Sequence, residues 1–218
     1  MKIITKNRLP LKYLKDICKI KSKSWDYGPK QSQFNYWLSI ISCTTDRTDR
    51  KHNFVYLAID DNGDCVAYLA AYIARKPRQY HPILFLIHTV SNFLLYLSKR
   101  GRGTLSYRKI YDYQSSTTVK LGKQALLGKD YKNASEGLCV AVHPEYRRSG
   151  IYREMTRQLM KEIEGYFIFH TSTESVYKAH EAMGFKNIFE VPYFYPEKHT
   201  TFIMYGDKSM ILGRHNGY

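Results

Sequence analysis

The chain has 218 residues, 44% of them hydrophobic, which is enough for one sizeable core and too little for two comfortable domains. Its formal net charge of +15 at pH 7 favours anionic partners, such as nucleotides, nucleic acid, phosphate-bearing substrates or an anionic membrane surface, and argues against a polyamine or a basic histone tail as substrate. Cys18, Cys43, Cys65 and Cys139 show neither CxxC nor paired spacing, and no signal-peptide pattern opens the sequence, so they read as reduced core thiols of a cytoplasmic protein.

In chain order, Lys2 to Thr5 reads as an opening strand, and Pro10 to Ser24 as a helix with Leu11, Leu14, Ile17 and Ile20 or Cys18 on one side. A turn around Asp26 to Pro29 leads into a second helical pattern over Ser32 to Ile41. Phe54 to Asp60 and Asp64 to Ile73 are apolar runs joined by Asn62-Gly63, a strong hairpin signal that makes them antiparallel neighbours.

Residues 75 to about 132 form a basic segment, with twelve Lys and Arg against Asp112 and Asp130, so ten of the fifteen net positive charges lie there. Inside it, "PILFLIHTVSNFLLYL" is a mostly apolar run of residues 82–97 that falls short of the ~20 residues of a membrane span. It has two readings. One is a helix packed on the sheet as extra core, the commoner fate at this length; the other is an interfacial helix whose apolar side meets lipid while Lys99, Arg100 and Arg102 meet headgroups. The following "GRGTLS" lacks both the third glycine and the preceding strand of a dinucleotide-binding loop.

Leu138 to Val142 reads as a buried strand ended by Pro144. Beyond Arg147, Arg148, Ser149 and Gly150, the apolar residues Ile151, Met155, Leu159 and Ile163 recur at every fourth position, with Gly165 as the stop. A helix's first turn carries unpaired N–H groups and partial positive charge, so strand, basic turn and helix together suit a phosphate or pyrophosphate. Phe167 to His170 then reads as a strand, Ser175 to Met183 as a helix closed by Gly184, and Ile188 to Tyr195 and Thr200 to Tyr205 as two final strands.

This order of elements, with "LCVAVHPEYRRSGIY" and "SVYKAHEAMGF", resembles the GNAT superfamily of acyl-CoA-dependent N-acetyltransferases. The first stretch is similar to the family's fourth strand and Q/R-x-x-G-x-G/A loop, with Arg147 at the Q/R place and Gly150 at the first glycine. The second is similar to its later helix ending in G-F. The likeness covers residues 134 to 190 well and the hairpin loosely. It implies an α/β (α+β) fold, a mixed and mostly antiparallel twisted sheet flanked by helices, as a single domain over 1–218 with a basic helical insertion at about 75–132. It also implies acetyl-CoA as co-substrate, its pyrophosphate on the backbone of Arg148, Ser149, Gly150, Ile151 and Tyr152, and its pantetheine paired like an extra strand against Val140, Ala141 and Val142.

The departures from the pattern matter equally. Tyr152 stands where the family usually has glycine or alanine, and Thr173 where many members carry asparagine. His180 replaces the tyrosine that serves as acid to the departing thiolate. A histidine titrating near 6.5 suits that task, or else His180 packs between helix and sheet, with Tyr177 one turn earlier as the second candidate. Glu136 occupies the position of a catalytic base in histone-type members, on the same side of the strand as Leu138 and Val140. The Val140 N–H is placed to polarise the thioester carbonyl. Trp25 and Tyr27, between the first two helices, and Tyr193 in "VPYFYPE" fall where the family borders its acceptor cleft.

No histidine pair has metal-ligand spacing, so no metal is expected. The expected activity is acetyl transfer from acetyl-CoA to a primary amine of an anionic or phosphate-bearing acceptor. The alternatives are a longer-chain N-acyltransferase at a membrane surface and a non-catalytic module that binds nucleic acid or membrane through the basic insertion.

Overall fold

The computed structural model describes residues 1–24, 33–50, 53–77, 81–128, 134–194 and 198–213, with the backbone alone at 46–50. The described residues form β1 (Lys2–Lys6), α1 (Leu14–Ser24), α2 (Gln33–Arg50), β2 (Phe54–Ile59), β3 (Cys65–Tyr72), α3 (Pro82–Tyr96), α4 (Lys99–Leu127), β4 (Ser135–Val142), α5 (Ile151–Glu162), β5 (Phe167–Thr171), α6 (Glu174–Met183), β6 (Lys186–Tyr193), β7 (His199–Gly206) and α7 (Lys208–Leu212). The strands make one mixed sheet in the order β1-β2-β3-β4-β5-β7-β6. The β1–β2, β2–β3, β5–β7 and β6–β7 pairs are antiparallel, and β4–β5 is parallel.

Every expected strand is present. The helices depart from expectation in three places. α2 continues to Arg50, well beyond Ile41, and α7 follows the last strand, its Asp207 cap accepting from the Met210 N–H at 2.9 Å. The basic insertion resolves into two helices, of which α4 runs 29 residues through glycines and a Thr117-Thr118-Val119 run that lower intrinsic helix preference. Tertiary packing overrides propensity there.

The described residues group into two compact units, and β4, α4 and α5 each contribute to both. The first comprises 1–72, 76–109 and 138–155. Its core joins Leu9, Tyr13, Ile17 and Ile20 to Val55, Leu57, Tyr68, Leu84, Cys139 and Ala141. β2 is buried along its whole length and β3 nearly so, so both faces of these strands are covered. α3 lies beside α2, and α4 begins close against the end of α3: a Cβ on Gly101 would fall 2.0 Å from the Leu95 carbonyl oxygen.

The second unit comprises 73–75, 110–137 and 156–218. Its core gathers Val119, Ala134, Ile168 and Ile203, with Leu126, Ile188 and Val191 packed around them. Phe167, Phe169 and Phe185 form an aromatic cluster in which Phe185 meets both other rings edge-on, with Phe169 and Phe185 5.1 Å apart at 85°.

Candidate cofactor loop and acid–base residues

In the first unit, β4 turns directly into the loop. From Leu138 onward its burial alternates: Cys139 and Ala141 are buried, while Leu138, Val140 and Val142 are half-buried. The fully buried strand expected from the apolar run therefore has one partly open face. His143 donates its N–H to the Val66 carbonyl at 2.8 Å, and Pro144–Tyr146 make a single 3-10 turn. The chain then passes through Arg148 at φ 64° and Gly150 at φ 82° before α5 begins.

Two left-handed residues around Ser149 tighten this turn, and the strain falls on Arg148, since a side chain in that region costs about 1–2 kcal/mol. The Glu154 N–H closes an α5 bond onto the Gly150 carbonyl at 3.0 Å, so Ile151, Tyr152 and Arg153 make up the first turn of the helix. Arg147, Arg148, Ser149 and Gly150 are exposed, Tyr152 is half-buried and Ile151 is buried. No described atom lies within 4 Å of a Cβ built on Gly150, so the space over the turn is open.

Sequence reading did not find the groups that hold the loop. The Arg147 guanidinium donates to the Val142 carbonyl at 3.4 Å and to the Ser24 hydroxyl at 3.1 Å. Ser149 Oγ donates to the Tyr146 carbonyl at 2.6 Å. Tyr146 donates its hydroxyl to Asp60 Oδ2 at 3.0 Å, while Asp60 Oδ1 accepts the N–H groups of Asp64 and Asn62. The Asp64 N–H bond, with help from Tyr146, holds the Asp60 carboxyl below the usual range, and the same Asp60 bond raises the Tyr146 phenol. Asp60 lies 86 residues from Tyr146 and Ser24 lies 123 residues from Arg147, and no local pattern marks either partner.

In the second unit, Glu136 is the second residue of β4 and its register partner is Ile168 of β5. Its Oε2 accepts from the Lys123 ammonium of α4 at 3.0 Å, a pair of largely buried side chains. His180 lies 3% exposed on α6, its ring 3.7 Å from that of Phe169 and 5.2 Å from that of Phe185. Nδ1 donates to the Val176 carbonyl at 2.8 Å. Burial pushes its pKa down to about 3, against the smaller opposing effect of that bond, so His180 is neutral at pH 7. This geometry favours the packing reading over an imidazolium donor.

Tyr177, half-buried on α6, stacks on Phe202 at 4.5 Å and donates its hydroxyl to Glu181 Oε1 at 3.4 Å. Partial burial, then the Glu181 charge, raises its pKa, so the phenol carries its proton at neutral pH.

The Tyr193 hydroxyl shares a hydrogen bond with Thr118 Oγ1 and donates to the Gln114 carbonyl at 3.2 Å. Its ring stacks on His199 at 5.4 Å, and His199 stacks in turn on Tyr111 at 5.9 Å. Beside this stack Ser115 Oγ is hydrogen-bonded to His170 Nε2, and Tyr111 bonds Ser172 at 3.3 Å. Tyr193 thus joins a layered aromatic and polar cluster with α4, a helix that the insertion hides from motif reading. Trp25 and Tyr27 lie outside the described residues. No group of three metal-ligating side chains occurs among the described residues.

No protein-family model matches the chain, and no curated protein matches it in sequence. Solved structures do match in fold. The ribosomal-protein-S18-alanine N-acetyltransferase of Escherichia coli is 11% identical, with a TM-score of 0.52 over 94% of this chain and 92% of that one. A structure titled histone acetyltransferase HPA2 and related acetyltransferase, from Corynebacterium glutamicum, is 10% identical, with a TM-score of 0.55 over 95% and 97%. An aminoglycoside 6'-N-acetyltransferase complexed with coenzyme A is 11% identical, with a TM-score of 0.52 over 95% and 97%. The chain has the fold of the GNAT N-acetyltransferases.

Proposed function

We propose that this protein is an acyl-CoA-dependent N-acetyltransferase, acting as one domain over 1–218, that moves an acetyl group from acetyl-CoA to a primary amine of an anionic, phosphate-bearing acceptor. The observation that carries this reading is the turn at Arg148 and Gly150, which leaves the space over Gly150 clear of described atoms at the end of a half-buried strand face. The positive end of a helix dipole, with two arginines beside it, suits a diphosphate. The pantetheine arm would pair along Val140, Ala141 and Val142, with the Val140 N–H at the thioester carbonyl.

In the reaction the amine nitrogen attacks the thioester carbonyl carbon, the C–S bond breaks, and the thiolate must take a proton as the amine loses one. Glu136 lies four residues before Val140 on the same half-buried face. With Lys123 on Oε2, its Oε1 is the oxygen assigned to take the amine proton, directly or through water. Tyr177 is the better proton donor to the thiolate than His180, because it is half-buried and protonated at pH 7 while His180 is neutral and enclosed. Tyr193, with Trp25 and Tyr27, is assigned to the acceptor side. The net charge of +15 supports an anionic acceptor.

A transfer screen read as free thiol tests the reaction. Acetyl-CoA is offered with amino sugars, nucleotide-linked amino sugars, aminoacyl-tRNA, amino acids and peptides. Thiol release that depends on a phosphate-bearing amine is the expected result. Release only with an uncharged amine overturns the acceptor class, and release with none of them removes support for transfer.

A further inference from the structure

α3 is built inside out. Its buried residues are Leu84, His88, Ser91 and Leu95, and His88 faces Ser42 of α2. His88 Nδ1 donates to the Ser42 carbonyl at 3.0 Å, and its Nε2 accepts from the Asn92 amide at 2.8 Å. Asn92 Oδ1 accepts from Ser42 Oγ at 2.8 Å, and Ser42 Oγ accepts from the Arg108 guanidinium at 2.6 Å. This chain of bonds fixes which side of α3 faces inward.

The opposite side is apolar and exposed. Ile83, Leu86, Val90, Phe93 and Leu97 follow one another at spacings of three and four residues, which aligns them in one stripe, and each is between 46% and 62% exposed. Phe85 at its flank and Tyr96 at its end are exposed as well. A water-facing helix carries these two faces the other way round. The packed-helix reading describes the buried side of α3.

The charge around the stripe selects its occupant. Residues 82–98 hold no charged side chain, and Lys99, Arg100 and Arg102 follow directly, all exposed, with no acidic residue between 77 and 111. Arg102 donates to the Tyr96 carbonyl at 3.1 Å, which fastens one cation at the end of the stripe. A second copy of this chain would bring another +15 against the first. An anionic surface gains from the same charge. At 15 residues α3 is about 22 Å long and lies along an interface more readily than through it, and among the described residues no helix is long and apolar enough to cross a membrane.

We propose that the exposed stripe of α3 docks the protein on an anionic lipid surface, Ile83, Leu86, Val90, Phe93 and Leu97 entering the headgroup–acyl boundary while Lys99, Arg100 and Arg102 bind lipid phosphates. The proposal is independent of acetyl transfer.

Vesicle co-sedimentation tests it, with phosphatidylcholine alone against phosphatidylcholine containing phosphatidylglycerol. The wild type should sediment with the anionic vesicles and lose binding as salt rises. Leu86→Asp with Phe93→Asp should abolish sedimentation. Lys99→Gln, Arg100→Gln and Arg102→Gln together should weaken it on the order of a hundredfold, at roughly a fivefold contribution per cation. Phe93→Trp, a conservative reporter that does not depend on the fold of the charged variants, should show blue-shifted emission with anionic vesicles. Wild type that stays in the supernatant at low salt overturns the proposal, as does Phe93→Trp emission that vesicles leave unchanged. Sedimentation unaffected by the two aspartates would place binding elsewhere. A concentration-dependent dimer that the aspartates dissolve, without vesicle binding, would make the stripe an interface between copies.

Discussion

His180 illustrates how a side chain's surroundings decide its chemistry. An imidazole in water titrates where a neutral-pH acid should, but Phe169 and Phe185 around this one push it down to about 3. Above its unfolded value near 6.5 both states are neutral and the group adds no pH dependence. As pH falls from there toward 3 the unfolded chain takes a proton that the folded chain refuses, so stability is lost on acidification at up to about 1.4 kcal/mol per pH unit. Between pH 7 and pH 5 the wild type should lose about 2 kcal/mol more than His180→Phe in denaturant titrations. Equal losses would mean that His180 is protonated in the folded state. Glu136 is the residue on which amine deprotonation is proposed to rest. Glu136→Gln should lower the transfer rate by about ten- to ten-thousand-fold with acetyl-CoA affinity unchanged. A wild-type rate in that variant would shift the role to a water chain.

Among the elements, the β4–α5 turn was the most legible, because its demands are local: a strand that ends at proline, a glycine in the left-handed region, and an apolar repeat of four. The second left-handed residue, Arg148, was not legible, since arginine carries no preference for that conformation. The two positions separate strain from ligand binding. Arg148→Gly should relieve about 1 kcal/mol of backbone strain and raise the melting temperature by roughly 2–4 °C, yet weaken acetyl-CoA binding by removing a cation. Gly150→Glu should strain the fold slightly and abolish binding, because a Cβ there has no described protein atom within 4 Å and the carboxylate would extend toward the space assigned to the diphosphate. Binding that follows stability in both variants, measured by calorimetry and by melting, would remove that assignment. α4 was legible only as helical insertion. Its contacts with Tyr193, His170 and Glu136 join residues 13 to 79 apart in sequence, and no periodicity encodes such partners.

For the whole molecule, charge is the property that sequence states outright, and it separates the two anions the account requires. Acetyl-CoA needs a few cations near α5, whereas ten of the fifteen net positive charges lie in residues 75–132. Screening over a Debye length that shrinks from about 10 Å at 0.1 M salt to about 3 Å at 1 M should cut transfer at low acceptor concentration far more than it weakens acetyl-CoA binding. An equal salt response of both would make the insertion's charge irrelevant to the acceptor.

The central claim is that this fold holds acetyl-CoA, and thermal unfolding of the full chain with and without acetyl-CoA tests it most directly. A ligand at a hundred times its dissociation constant stabilises the folded state by about 2.7 kcal/mol, which for a chain of this size is roughly 5–10 °C. The account predicts such a rise for the wild type at micromolar to sub-millimolar acetyl-CoA, and its loss in Gly150→Glu. An unchanged melting temperature for the wild type at millimolar acetyl-CoA would contradict it.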